Sequence, residues 1–139
     1  MSTTTPILAA ATVETRLPAQ DLDRARAWYR DKLGLEPFDE REGGILYRLG
    51  SGAFALFASS GAPSGTHTQM AFEVPDIRAA VAELQARGVV FDDEGIAGLD
   101  MVDHVVTVPG NYPTKGSGEF GAWFRDSEGN LMGLAQPVR

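Results

Sequence analysis

The sequence predicts an α+β chain of two β-α-β-β-β modules whose paired, curved sheets enclose a cleft. Two observations carry that prediction. Helix caps stand at Asp21 and Asp76, 55 residues apart, each preceded by a strand-like run. After each helix come extended segments separated by Gly-rich turns. The 139 residues, 43% of them hydrophobic, suit one domain with a real core, its modules at about 12–60 and 66–138.

The first module opens with the strand-like run "TVETRLPAQ". Asp21 then caps "DLDRARAWYRDKLG", in which Leu22, Ala25, Tyr29 and Leu33 make an apolar stripe and Gly34 ends the helix. Trp28 adjoins Tyr29 and so cannot share its face; it is expected at the edge of that stripe. Three extended segments follow, "EPFDER", "GILYRLG" and "AFALFAS". In the second module the run "HTQMAFEVP" leads to "DIRAAVAELQARG", capped by Asp76. Ile77, Ala80, Val81 and Leu84 repeat at i, i+3, i+4 and i+7, and Gly88 follows the last turn. "VVFDDE", "HVVTVPG", "EFGAWFRD" and "LMGLAQP" read as its strands. A polar turn, "RDSEGN", joins the last two, with Gly129 or Asn130 supplying positive φ and the acidic side chains solvated.

Composition narrows the function classes. A net charge of −7 argues against a nucleic-acid partner, which needs clustered Lys and Arg, and suits a cationic small molecule. No apolar run is long enough to cross a bilayer, and the N-terminal "MSTTTPILAAATV" lacks the basic start of a secretory signal. With no cysteine there are no disulfides, thiolate metal sites or cysteine nucleophiles, and a cytoplasmic protein is expected. Neither a phosphate loop, a Ser-His-Asp ordering nor a dinucleotide fingerprint is present.

The doubled pattern, with "DLDRARAWYRDKLGL" in one half and "FRDSEGNLMGLAQP" closing the other, resembles the vicinal oxygen chelate superfamily. That group includes glyoxalase I, extradiol dioxygenases and bleomycin-resistance proteins. The resemblance implies the glyoxalase/bleomycin-resistance-like fold, frequent dimers, and a cleft within one chain or across two. In metal-dependent members each module supplies two ligands, one on its first strand and one, usually Glu, on its last. The first-strand positions fall here on Glu14 and Gln69, with His67 two residues before Gln69. The last-strand positions fall on "AFALFA", which holds no donor, and on Gly133, which has no side chain.

The resemblance therefore implies a metal-independent protein, similar to the bleomycin-resistance branch, that holds a small aromatic or cationic molecule in its cleft. The alternative is a lyase, isomerase or dioxygenase using a divalent ion such as Zn, Fe, Mn or Ni on Glu14, Gln69 and His67. Metal-free acid–base catalysis by Glu14 or a histidine is a third possibility. Cleft candidates are Glu14, Tyr47, Phe54, Leu56, His67, Gln69, His104, Tyr112, Trp123 and Gly133. His104 begins an alternating run and shares a face with Val106 and Val108. The bland readings are core packing for the aromatics, solvent for Glu14, and an ordinary loop position for each histidine. The loop "PGNYPTKGSGEFG" offers Tyr112 and Lys115 as contacts from a lid or a partner chain.

Overall fold

A computed structural model describes residues 6–58, 61–93, 100–109 and 117–138. After a short 3-10 turn, Ile7–Ala10, the first module runs β1 (Thr15–Pro18), α1 (Leu22–Trp28), β2 (Asp39–Arg41), β3 (Gly44–Leu49) and β4 (Gly52–Phe57). The second runs β5 (Thr68–Glu73), α2 (Ile77–Ala86), β6 (Met101–Val102), β7 (Val105–Pro109), β8 (Gly118–Arg125) and β9 (Leu131–Val138). The two sheets have matching topologies. The N-terminal sheet is ordered β1-β4-β3-β2 and the C-terminal sheet β5-β9-β8-β7-β6. In each, the first strand lies parallel to the last, and every other described pairing is antiparallel.

Both helix starts are those the caps predict. Asp21 accepts from the backbone N–H of Arg24 and Asp76 from that of Ala79, at 3.0 and 3.1 Å. α1 widens into a π-helical stretch over Tyr29–Leu33 before Gly34 closes it at φ 72°. Three segments differ from expectation. Only Asp39–Arg41 of "EPFDER" is strand, "VVFDDE" contributes a single bridge from Phe91 to Phe124, and a short β6 precedes β7. No helix among the described residues is long and apolar enough to cross a membrane.

One core joins the modules, and it lies between the sheets on the side where the helices pack. Tyr29 of α1 stacks against Tyr47 and tilts against Phe54 of the N-terminal sheet, at centroid separations of 5.2 and 5.7 Å. The same tyrosine reaches Asp126 and Met132 of the second module. Phe54 meets Phe72 edge-on at 5.9 Å, and Trp28 stacks on Phe124 at 6.2 Å. Aromatic pairs of this kind add about 0.5–1.5 kcal/mol each beyond area burial. Each sheet keeps a second, open face away from this core.

Candidate functional site

Alternation along each strand assigns the two open faces. On the N-terminal sheet, Ile45, Tyr47, Phe54 and Leu56 are buried toward α1. Arg16, Leu46, Arg48, Ala53, Ala55 and Phe57 therefore occupy the other face. Across it Arg16 pairs with Ala55 and Ala55 with Leu46. Glu14 stands just before β1, exposed, and lines a cavity of about 440 Å³ with Asp39, Arg41, Leu46, Ala55 and Phe57. Among the described residues neither Arg16 nor Arg48 pairs with it.

On the C-terminal sheet the inward residues are Ala122, Phe124, Met132 and Leu134. Trp123 and Gly133, directly opposite each other on β8 and β9, take the open face with Ala71 and Gly121. The indole lies along this face. A Cβ on Gly121 would fall 2.9 Å from Trp123 Cη2, and one on Gly133 would fall 3.4 Å from its Nε1. The indole N–H donates to Thr68 Oγ1 at 3.1 Å. Two glycines thus leave a floor on which a half-buried tryptophan rests, its ring tethered at one end. Nothing in the sequence pattern distinguished Thr68 as that tether.

Several expected cleft residues lie elsewhere. Tyr47, Phe54 and Leu56 are 1%, 1% and 0% exposed and belong to the core, not to an open face. His104 is not on a strand. It is the second residue of the two-residue Asp103–His104 turn, both at positive φ, where the mirror-image turn geometry suits a tight hairpin. Its ring stacks on Phe91 and its Nδ1 lies 2.8 Å from the Asp93 carboxylate, so it does not share the open face with Val106. Gln69 is displaced by a bulge that places Thr68 opposite Leu131 and Met70 opposite Met132. Its Oε1 is buried without a partner among the described residues. His67 is exposed and bonded to Ser64. Tyr112 and Lys115 lie outside the described residues.

The "RDSEGN" turn supplies the largest correction. Gly129 does have positive φ, at 89°, but Asp126, Glu128 and Asn130 are buried rather than solvated. Asp126 accepts from the Tyr29 hydroxyl, the Asn130 amide and the backbone N–H groups of Glu128 and Asn130. Burial, and then the charge of Asp126, push the Tyr29 hydroxyl well above its usual range. Glu128 holds both ends of the Arg24 guanidinium at 2.9 Å and accepts from the Asp21 backbone N–H. Burial alone would raise its pKa, yet the bonds from Arg24, Ser127 and Asp21 outweigh it and hold the group down to about 2. A depressed carboxylate stabilises the fold above its ordinary value of 4.5, and that contribution is lost as pH falls toward 2. Thermal unfolding followed from pH 5 to pH 2 should therefore show a steeper loss of Tm for the wild type than for Glu128→Gln.

This turn is a clasp between modules and positions β8 and β9, which carry Trp123 and Gly133. A separate apolar crevice of about 370 Å³ lies on the helix side, lined by Leu33, Leu49, Phe72, Ala80 and Leu84 among others.

Residues 11–134 match the family model of the glyoxalase/bleomycin resistance protein/dioxygenase superfamily. The chain belongs to that superfamily. Solved superfamily folds resemble it along nearly their whole length. A glyoxalase/bleomycin resistance protein/dioxygenase from Nocardioides is 19% identical with a TM-score of 0.62, covering 99% of this chain and 87% of that one. TnmS3, an antibiotic binding protein from Streptomyces sp. CB03234, is 24% identical with a TM-score of 0.61, covering 93% and 98%. A glyoxalase/bleomycin resistance protein/dioxygenase from Alicyclobacillus acidocaldarius is 14% identical with a TM-score of 0.64, covering 94% and 93%. Comparison with curated proteins returned no match. These identities show a shared fold and leave function to the site.

The superfamily's metal-dependent chemistry finds a poor fit in these residues. Among the described residues no three His, Cys, Asp or Glu side chains gather closely enough to hold an ion. Glu14 stands just before β1 of one sheet, and His67 and Gln69 stand at the start of β5 in the other. The space beside Gly133, where the resemblance puts such a member's carboxylate, borders Trp123, Ala71 and Thr68.

Proposed function

We propose that this chain is a metal-independent binding protein for a small planar aromatic molecule, acting as a homodimer. The observation that carries the reading is Trp123, held along an open sheet face over Gly121 and beside Gly133. An indole ring fixed in this way is a stacking platform with little conformational entropy left to lose on binding. The ligand is polarised by no metal in this reading, and its body is held by apolar contact.

One open face makes only half a cleft. A second copy supplies the other half if the N-terminal sheet of one chain faces the C-terminal sheet of its partner. The surface is suited to such a contact. Ile7, Leu8 and Val13 in the segment leading to β1 are 88%, 80% and 92% exposed, and Phe38 beside β2 is 60% exposed. An antibiotic-binding structural neighbour adds support for small-molecule binding in this fold.

Isothermal titration of chelator-treated protein against a panel of planar aromatic antibiotics tests the reading. The expected result is saturable binding by at least one, unchanged on adding divalent metal. Binding that appears only with metal would replace this reading with a metal-dependent one.

A further inference from the structure

We infer that the bound molecule carries an acidic group, received by Arg16; the inference rests on the binding reading above. The chain's net charge of −7 suggests a cationic ligand, but the open face of the N-terminal sheet has the opposite local balance. It presents Arg16, Arg41 and Arg48 against Glu14 and Asp39. Arg41 is committed to Asp39 at 2.9 Å. Arg16 and Arg48 make no ion pair among the described residues and lie over rings instead, 5.1 Å from the centroid of Phe57 and 4.0 Å from that of Phe38.

Position separates Arg16 from the other charges. It stands on the edge strand β1 opposite Ala55 of β4, and its ring partner Phe57 lines the cavity on this sheet. Glu14 lies before the strand begins, and Arg48 on the interior strand β3 is turned over Phe38, which precedes β2. Small residues lie beside it on the same face, Ala53 and Ala55 on β4 and Gly44 on β3. A guanidinium resting on an aromatic ring keeps its fork of N–H donors directed outward, and that fork matches a carboxylate or sulfonate with two parallel bonds. Covering the face with a second copy takes this cation out of water, which is costly unless an anion meets it. An acidic group on the ligand meets that need while the aromatic body stacks on Trp123 of the partner copy.

Three probes with one ring system and different heads test this: anthracene-9-carboxylate, 9-anthracenemethanol and 9-(aminomethyl)anthracene. Titration calorimetry of the wild type, Arg16→Gln and Trp123→Ala is the measurement. The carboxylate should bind about tenfold or more tighter than the amine, and Arg16→Gln should remove that advantage while moving the alcohol less than about twofold. Sedimentation of Arg16→Gln should show the wild-type oligomer. Preference for the amine, or an acid preference that survives Arg16→Gln, overturns the inference while leaving the site intact. So does loss of the oligomer in Arg16→Gln, since an acidic side chain of the partner copy would then be the counterion. Failure of all three probes, or binding indifferent to Trp123→Ala, overturns both the inference and the binding reading.

Discussion

Asp126→Ala is expected to lower the free energy of unfolding by about 3–4 kcal/mol, read from urea denaturation. The carboxylate has four donors around it: the Tyr29 hydroxyl at 2.6 Å, the Asn130 amide at 2.9 Å, and two backbone N–H groups at 2.8 and 2.9 Å. Alanine removes every acceptor at once and leaves those donors buried, with Tyr29 and Asn130 both at 0% exposure. Each stranded group costs about 1–3 kcal/mol, and partial relaxation or entering water recovers some of the sum. The loss is a large share of the roughly 5–15 kcal/mol that stabilises an ordinary domain. Asp126→Asn keeps an acceptor oxygen and should cost about half as much. The clasp joins Tyr29 on α1 to a turn almost a hundred residues away, so the same substitution should also reduce the cooperativity between modules.

Trp123→Ala is expected to weaken binding of a planar aromatic ligand by about 10- to 100-fold, while shifting Tm little. The indole lies on an open face rather than in the core, so its removal exposes Gly121 and Gly133 and leaves the packing beneath unchanged. Trp123→Phe should recover most of the affinity, losing only the tether to Thr68. Gly121→Ala offers a second route to the same result, because its Cβ would meet Trp123 Cη2 at 2.9 Å and displace the ring. The clash is with a movable side chain at a surface, so this variant should fold normally and bind several-fold more weakly. Retention of full affinity by both Trp123→Ala and Gly121→Ala would mean that the platform has no part in binding.

Much of the fold was legible because its signals are local. Asp21 and Asp76 cap helices through N–H groups three residues away, and the repeat needed only those caps and the strands around them. Strand alternation in "AFALFA" puts Phe54 and Leu56 on one face and Phe57 on the other, as the burial pattern has them. It does not say which face a helix will cover. That depends on α1 and on Tyr29, and it sent Tyr47, Phe54 and Leu56 inward instead of to the cleft. His104 was read into the strand that follows because a residue at positive φ leaves no mark on polar alternation. The bulge at Gln69 is equally silent in sequence, and it gave Thr68 the place beside Trp123. The acidic turn misled for a different reason. "RDSEGN" has the composition of a solvated loop, and the groups that draw it inward, Arg24 and Tyr29, come from the other module. Gly133 is legible in the sequence as a position without a donor; the structure adds that the indole borders it, its Nε1 3.4 Å from where a Cβ would stand.

The central claim is that the open sheet faces of two copies together form the site. The chain has no cysteine, so single introduced thiols report without background. Ala53→Cys marks the open face of the N-terminal sheet and Ala71→Cys that of the C-terminal sheet. Equal amounts of the two variants, mixed, allowed to exchange and treated with a bismaleimide spanning about 10 Å, the spacing of facing sheets, should give a covalent dimer containing one of each. A planar ligand in the cleft should slow that reaction. Chains that sediment as monomers and stay uncrosslinked, or crosslinking confined to a single chain carrying both cysteines, would contradict the claim.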